Sequence, residues 1–163
     1  RETRKPNKMS NIWTPHATVA CVVEKNGKFL MVEELSHGQR VYNQPAGHVD
    51  EGESIFEAAV RETLEETAWR VELTGLVGLY VYTAPQNGVC YHRYCFSAQA
   101  LEHTSNALDA DILAAHWLSY AEIISKGENL RSPLVLRCID DARTRTSVPL
   151  NFIYEHPFSK IDS

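Results

Sequence analysis

Three glutamates, Glu62, Glu65 and Glu66, stand at spacing i, i+3 and i+4. On a helix that spacing puts three carboxylates on neighbouring positions of one face. Left alone they would repel one another. A divalent cation removes the repulsion, and a hard cation such as Mg²⁺ prefers oxygen ligands, a few carboxylates together with substrate phosphates. An isolated cluster of this kind reads most simply as a solvated helix face. Here it sits in a longer frame. Gly47, Glu53, Arg61, Glu62, Glu65 and Glu66 obey G-x5-E-x7-R-E-x-x-E-E within GHVDEGESIFEAAVRETLEETAW, residues 47–69. Six matched positions favour a metal site over a bland acidic face.

The elements that must hold this frame are legible. Phe56, Ala59, Val60, Thr63 and Leu64 recur at three- and four-residue steps and predict one buried helical stripe. Ser54, with Glu57 three residues on, predicts an N-cap and capping box. Arg61 lies four residues from both Glu57 and Glu65 and can orient a carboxylate.

The segment 47–69 resembles the Nudix box, whose usual form is G-x5-E-x7-R-E-U-x-E-E-x-G-U, with U a bulky aliphatic residue. Thr63 stands at the first aliphatic position and Ala68 at the late glycine. Neither position supplies a ligand in the family, so altered helix packing and helix exit are expected, with the chemistry retained. The resemblance implies an α/β fold, an α/β/α sandwich around a mixed central sheet. It also implies hydrolysis of a diphosphate linkage with Mg²⁺ as cofactor and Mn²⁺ as a possible substitute. Glu62, Glu65 and Glu66 are the implied metal ligands, with the backbone carbonyl of Ala46 completing the shell. Glu62, or a carboxylate outside the box, would be the general base. Arg61 would orient Glu62 or Glu65, and Glu53 would brace loop and helix. Asp111, in an acidic-Ile-x4-Trp stretch ending at Trp117, is the implied extra ligand, with Asp109 as runner-up.

Outside the box, HATVACVV (16–23), GKFLMVEE (27–34), NQPAGH (43–48), WLSYAEI (117–123) and LRSPLV (130–135) resemble the NudJ-type subgroup. That implies a nucleoside tri- and diphosphatase that also accepts thiamine pyrophosphate or its pyrimidine precursor. Pro85, sixteen residues past Trp69, fits a marker of ADP-ribose or nucleotide-sugar pyrophosphatases, the second reading. A third is a binding module of the same fold without catalysis, which usually lacks one or more box glutamates. Gly47, His48, Arg40, Tyr42, Arg93 and Arg131 are candidate substrate contacts: the arginines as planar donors to phosphate, and Tyr42, like Tyr80, Tyr82 and Tyr91, as a stacking surface or as core.

Composition fits a soluble globular protein. The chain has 163 residues, 44% of them hydrophobic, and a formal net charge of −5. One domain over 13–163 is expected, after a flexible extension over 1–12 that is natural or added, with Met9 a candidate start. The negative balance argues against a nucleic-acid-coating role, and no apolar run is long enough to span a membrane. Cys21, Cys90, Cys95 and Cys138 show no metal spacing and read as free thiols of a cytoplasmic protein. A monomer or a homodimer fits equally.

Along the chain, His16 to Lys25 and Lys28 to Leu35 predict strands joined at Asn26-Gly27, a hairpin signal. Ser36 to Val41 reads as a loop and Tyr42 to His48 as a short extended piece. Arg70 to Ala84, Val89 to Ala100 and Ile112 to Leu118 read as further strands. Ser119 to Lys126 and Ser132 to Arg143 predict helices, and 145–163 a largely irregular tail.

Overall fold

The computed structural model describes residues 12–157. The extension expected over 1–12 therefore falls almost wholly outside the described residues. Seven strands and three helices follow in the order β1 (His16–Lys25), β2 (Lys28–Ser36), β3 (Gln39–Asn43), β4 (Ala46–His48), α1 (Ile55–Thr67), β5 (Trp69–Thr83), β6 (Cys90–His103), β7 (Ile112–Ser119), α2 (Tyr120–Lys126) and α3 (Pro133–Thr144).

β1 is the hub. Its apolar run lets both faces be buried, and it pairs with β6 in parallel from His16 to Val23. Its other edge is shared. Thr18 to Ala20 pair antiparallel with β4, whereas only Glu24 and Lys25 pair with β2. β2 and β4 thus diverge from one strand and leave an opening between them. β2 carries β3 and β7, and β6 carries β5, all antiparallel. One parallel pair among antiparallel ones makes the sheet mixed, as expected.

Alternate residues of β1 serve opposite cores. Val19, Cys21 and Val23 meet Ala58 and Ala59 of α1, with Phe96 and Leu30. Ala20 and Val22 meet Ile123 of α2 and Val135 and Ile139 of α3. Helices therefore cover both faces, the expected sandwich. Each fully buried Val, Ile or Phe of these cores stabilises the fold by about 1.5–3 kcal/mol.

The turns explain one departure. Asn26 and Gly27 both have positive φ, 52° and 73°, which fits the right-handed twist of the β1–β2 hairpin. His37 and Gly38 repeat this at 51° and 77°, so the segment read as a loop forms a tight hairpin, with Ser36 opposite Gln39. Histidine in that position gives a weaker signal than asparagine. Gly75 and Gly78 mark register shifts within the continuous strand β5. A side chain at Gly75 would overlap Ser147 of the tail. The described part of the tail is largely irregular, as expected, yet it is held to the sheet: Val148 bridges Leu76, and Leu150–Phe152 forms a 3-10 turn.

Candidate metal and substrate site

α1 starts where the sequence places it. Ser54 accepts from the Glu57 backbone N–H at 3.0 Å, and Glu57 accepts from the Ser54 N–H at 3.0 Å. A cap of this kind contributes about 1 kcal/mol. The Ile55 N–H, a further unpaired group of the first turn, donates to Glu155 at 2.8 Å, so the tail closes the same helix end. The buried stripe is Ala58, Ala59, Thr63, Glu66 and Thr67, with Phe56, Val60 and Leu64 only partly covered. Thr63 fits in the core because its hydroxyl donates to the Ala59 carbonyl at 2.8 Å. Ala68 ends the helix in the left-handed region at φ 61°, where glycine is the unstrained choice.

Arg61 gathers the acids. Its Nε and Nη2 hold Glu53 as a fork at 2.5 and 3.0 Å. Nη1 reaches Glu62 at 2.9 Å and Glu65 at 3.1 Å, and Nη2 also donates to the His48 carbonyl at 3.0 Å. Glu53 also accepts from the Asp50 N–H, tying the loop before the helix to the helix itself. The hydrogen bonds of Arg61 hold the Glu53 carboxyl below its ordinary range.

Glu62, Glu65 and Asp109 present carboxylate oxygens that all lie within 4.8 Å of one another. Asp109 is brought there by its own N–H, which donates to the Glu65 carbonyl at 2.9 Å. Asp111, the first choice from the sequence, is exposed and outside this trio; its carbonyl accepts from Leu35 instead. Glu66 sits deeper, 7% exposed, and one of its oxygens accepts from the Ala46 N–H at 2.7 Å. Burial pushes the Glu66 carboxyl up to about 8, and burial also raises that of Glu62. Glu53, Glu62 and Glu65 thus share the Arg61 guanidinium, and Asp109 and Glu66 lie beside them. All-oxygen donors with an excess of negative charge fit a hard divalent cation.

A cavity of about 310 Å³ opens beside Ala46, Gly47 and His48, where β2 and β4 diverge. His48, His16 and Tyr91 form an edge-on aromatic cluster at its wall. Burial, then the neighbouring His16, holds the His48 imidazole below its ordinary value. Arg93 and Asn43 line the buried side, and Tyr82, Asn87, Arg131 and Glu34 complete the surround. Arg131 pairs with Glu34 at 2.5 Å. Glu34, buried at the cavity edge, was not singled out as a site residue from the sequence; within a strand, an acid reads as an outward-facing one.

Two candidate contacts lie elsewhere. Arg40 is 72% exposed and pairs with Glu33 on the outer edge. Tyr42 packs beneath Lys126, whose Nζ is 4.5 Å from the ring centroid, and beside His116. Neither lines the cavity. Tyr80 is also remote, donating to buried Asp141 at 2.8 Å.

Comparison with known proteins places this arrangement. Residues 14–138 match the family model described as the NUDIX domain. The chain belongs to the Nudix family. It is 39% identical over 153 residues to Phosphatase NudJ of Shigella boydii, a match covering 91% of this chain and 98% of that protein. Phosphatase NudJ of Escherichia coli K12 is 38% identical over the same coverage. Among solved structures, a NUDIX hydrolase from Nitrosomonas europaea superposes with a TM-score of 0.87 at 40% identity, covering 90% of this chain and all of that one. The Nudix domain of Shewanella oneidensis NrtR, solved with ADP ribose, shares the fold at TM-score 0.67 and 18% identity. The protein is a Nudix hydrolase, a pyrophosphohydrolase related to the NudJ phosphatases. Hydrolases of this family generally use divalent metals. No described helix is long and apolar enough to cross a membrane.

Proposed function

We propose that this Nudix hydrolase is an Mg²⁺-dependent phosphatase of nucleoside tri- and diphosphates that releases orthophosphate. Mn²⁺ substitutes for Mg²⁺, and thiamine pyrophosphate or its pyrimidine precursor falls within its range. The observation that carries this reading is the meeting of the Glu62, Glu65 and Asp109 carboxylates beside a cavity whose size suits a small organic group.

Glu62, Glu65, Glu66 and Asp109 would hold the cation, with the Ala46 carbonyl as a further donor. Bound there, it would neutralise phosphate charge and lower the pKa of a water ligand. Glu62 accepts the proton of the attacking water, one of its oxygens held by Arg61. Arg61 fixes Glu62 and Glu65 at once, and Glu53 fixes Arg61. Gly47, at the cavity wall, leaves room for the Glu62 carboxylate beside the diphosphate, and His48 and Arg131 face the group it carries. The four free cysteines support action in the reducing cytoplasm.

The second reading is an ADP-ribose or nucleotide-sugar pyrophosphatase. Pro85 favours it, since its neighbours Ala84 and Gln86 both line the cavity. Product analysis with Mg²⁺ separates the two. Orthophosphate from nucleoside tri- and diphosphates supports the proposal; AMP and ribose phosphate from ADP-ribose, without orthophosphate from the others, would refute it.

A further inference from the structure

Arg93 stands in the middle of β6 and is 8% exposed. Its Nη1 donates to Gln44 Oε1 at 3.1 Å and its Nη2 to Asn43 Oδ1 at 3.5 Å. Both acceptors are neutral amides, and the second bond is long. Among the described residues no carboxylate forms an ion pair with Arg93. Arg40, Arg61, Arg131, Arg137 and Arg145 each have one, and each of those side chains is more exposed.

A guanidinium is always charged in a folded protein and carries five N–H donors. Removing it from water is strongly unfavourable unless an anion or a full set of acceptors compensates. Two neutral amides do not. Arg93 lines the cavity beside the carboxylate site, together with Thr18 and Asn43. The other formal charges on that lining, Glu34 and Arg131, neutralise each other. The cavity wall is therefore left with one net positive charge, fixed at its buried side.

We infer that Arg93 is the anchor for an acceptor oxygen that the substrate carries, so that its counter-charge arrives with the ligand. The inference rests on the reading of this site as a hydrolase of diphosphate compounds, and adds the residue that selects among them. The oxygen belongs to a phosphate beyond the metal-held one, or is an anionic or carbonyl oxygen of the organic group. Either way, a substrate without an acceptor at that point leaves the guanidinium buried without a counter-charge, and binds weakly. The rival counter-ion is internal. The Cys138 thiol, which burial alone would push up, is pushed down by its hydrogen bond with Cys95 and by the charge and hydrogen bond of Arg93.

The test uses the full chain with Mg²⁺, uridine diphosphate as substrate, and methylenebisphosphonate as a competitor that lacks both an organic group and a cleavable bridge. Arg93→Gln raises KM by about tenfold or more, a larger factor than its fall in kcat. Arg93→Lys falls between it and the wild type, because the charge stays and the planar fork is lost. It also serves if the glutamine variant fails to fold. Cys138→Ser keeps the wild-type KM. A matching rise in the inhibition constant of the bisphosphonate assigns the oxygen to phosphate; an unchanged constant assigns it to the organic group. A folded Arg93→Gln protein with wild-type KM overturns the inference, as does a Cys138→Ser protein that shows the same KM defect. If the wild type does not hydrolyse uridine diphosphate, the underlying reading is what fails. Thermal shift by uridine diphosphate, which carries both phosphate and organic group, wild type against Arg93→Gln, then still judges Arg93.

Discussion

The carboxylate of Glu62 occupies the space that a side chain at Gly47 would fill: a Cβ built there overlaps its carboxyl group. The box glycine and Glu62, fifteen residues apart, are therefore one device. The absent side chain on β4 lets a carboxylate of α1 lie against the backbone beside the cavity. Gly47→Ala should lower Mg²⁺ affinity and turnover by about 10–100-fold, the range seen when a ligand's support is disturbed. Calorimetric metal titration checks it. Unchanged affinity would show that Glu62 does not need this seat.

Asp109 and Asp111 make a paired test of the acidic loop. Both are exposed, but Asp109 joins Glu62 and Glu65, whereas Asp111 lies outside that cluster and contributes through its carbonyl. Asp109→Asn should weaken Mg²⁺ binding by about tenfold or more, and Asp111→Asn should not. The reverse order of effects would restore the sequence-based choice.

Arg61 touches Glu53, Glu62 and Glu65. Arg61→Gln leaves these acids to repel one another across a partly buried site. Charge-assisted bonds of this type contribute about 2 kcal/mol, so Tm should fall by about 4–8 °C in a chain of this size. Saturating Mg²⁺ should recover part of the fall. A thermal melt that ignores both the substitution and the metal would count against the clamp.

Away from the site, Asp141 is 7% exposed and accepts from Tyr80, Arg137 and Arg145. Burial pushes its carboxyl up, but the bonds from Arg137 and Tyr80 and the charges of both arginines outweigh this and hold it below its ordinary value. The folded pKa is thus the lower one. Its contribution is present above the unfolded pKa, roughly 3.9, and is lost as pH falls through the folded value. Asp141→Asn should destabilise by about 2 kcal/mol at pH 7 and by less at pH 3. Urea melts at the two pH values check this, and an equal loss at both would contradict it.

The sequence carried the elements whose signals are local. Ser54 with Glu57 and Ser119 with Glu122 form the two capping boxes that their spacing predicts. The Asn26-Gly27 turn sets the first hairpin. What stayed hidden depends on distant pairing. Asp109 and Asp111 are chemically alike, and only the loop's bond to the Glu65 carbonyl selects between them. Arg40 and Arg93 are both strand arginines; the first sits at an outer edge, and β6, paired with β1, carries the second into the interior. Glu34 is drawn inward by Arg131, 97 residues away.

The most direct test of the metal-site proposal is Mg²⁺-dependent phosphate release by Glu66→Gln. Glutamine keeps the shape of the side chain and can still accept from the Ala46 N–H, so the fold should survive. Its neutral amide cannot replace the carboxylate toward a cation. The prediction is a fall of about 100-fold or more in turnover, with a Tm no lower than that of the wild type. A folded variant with wild-type phosphate release would contradict the account.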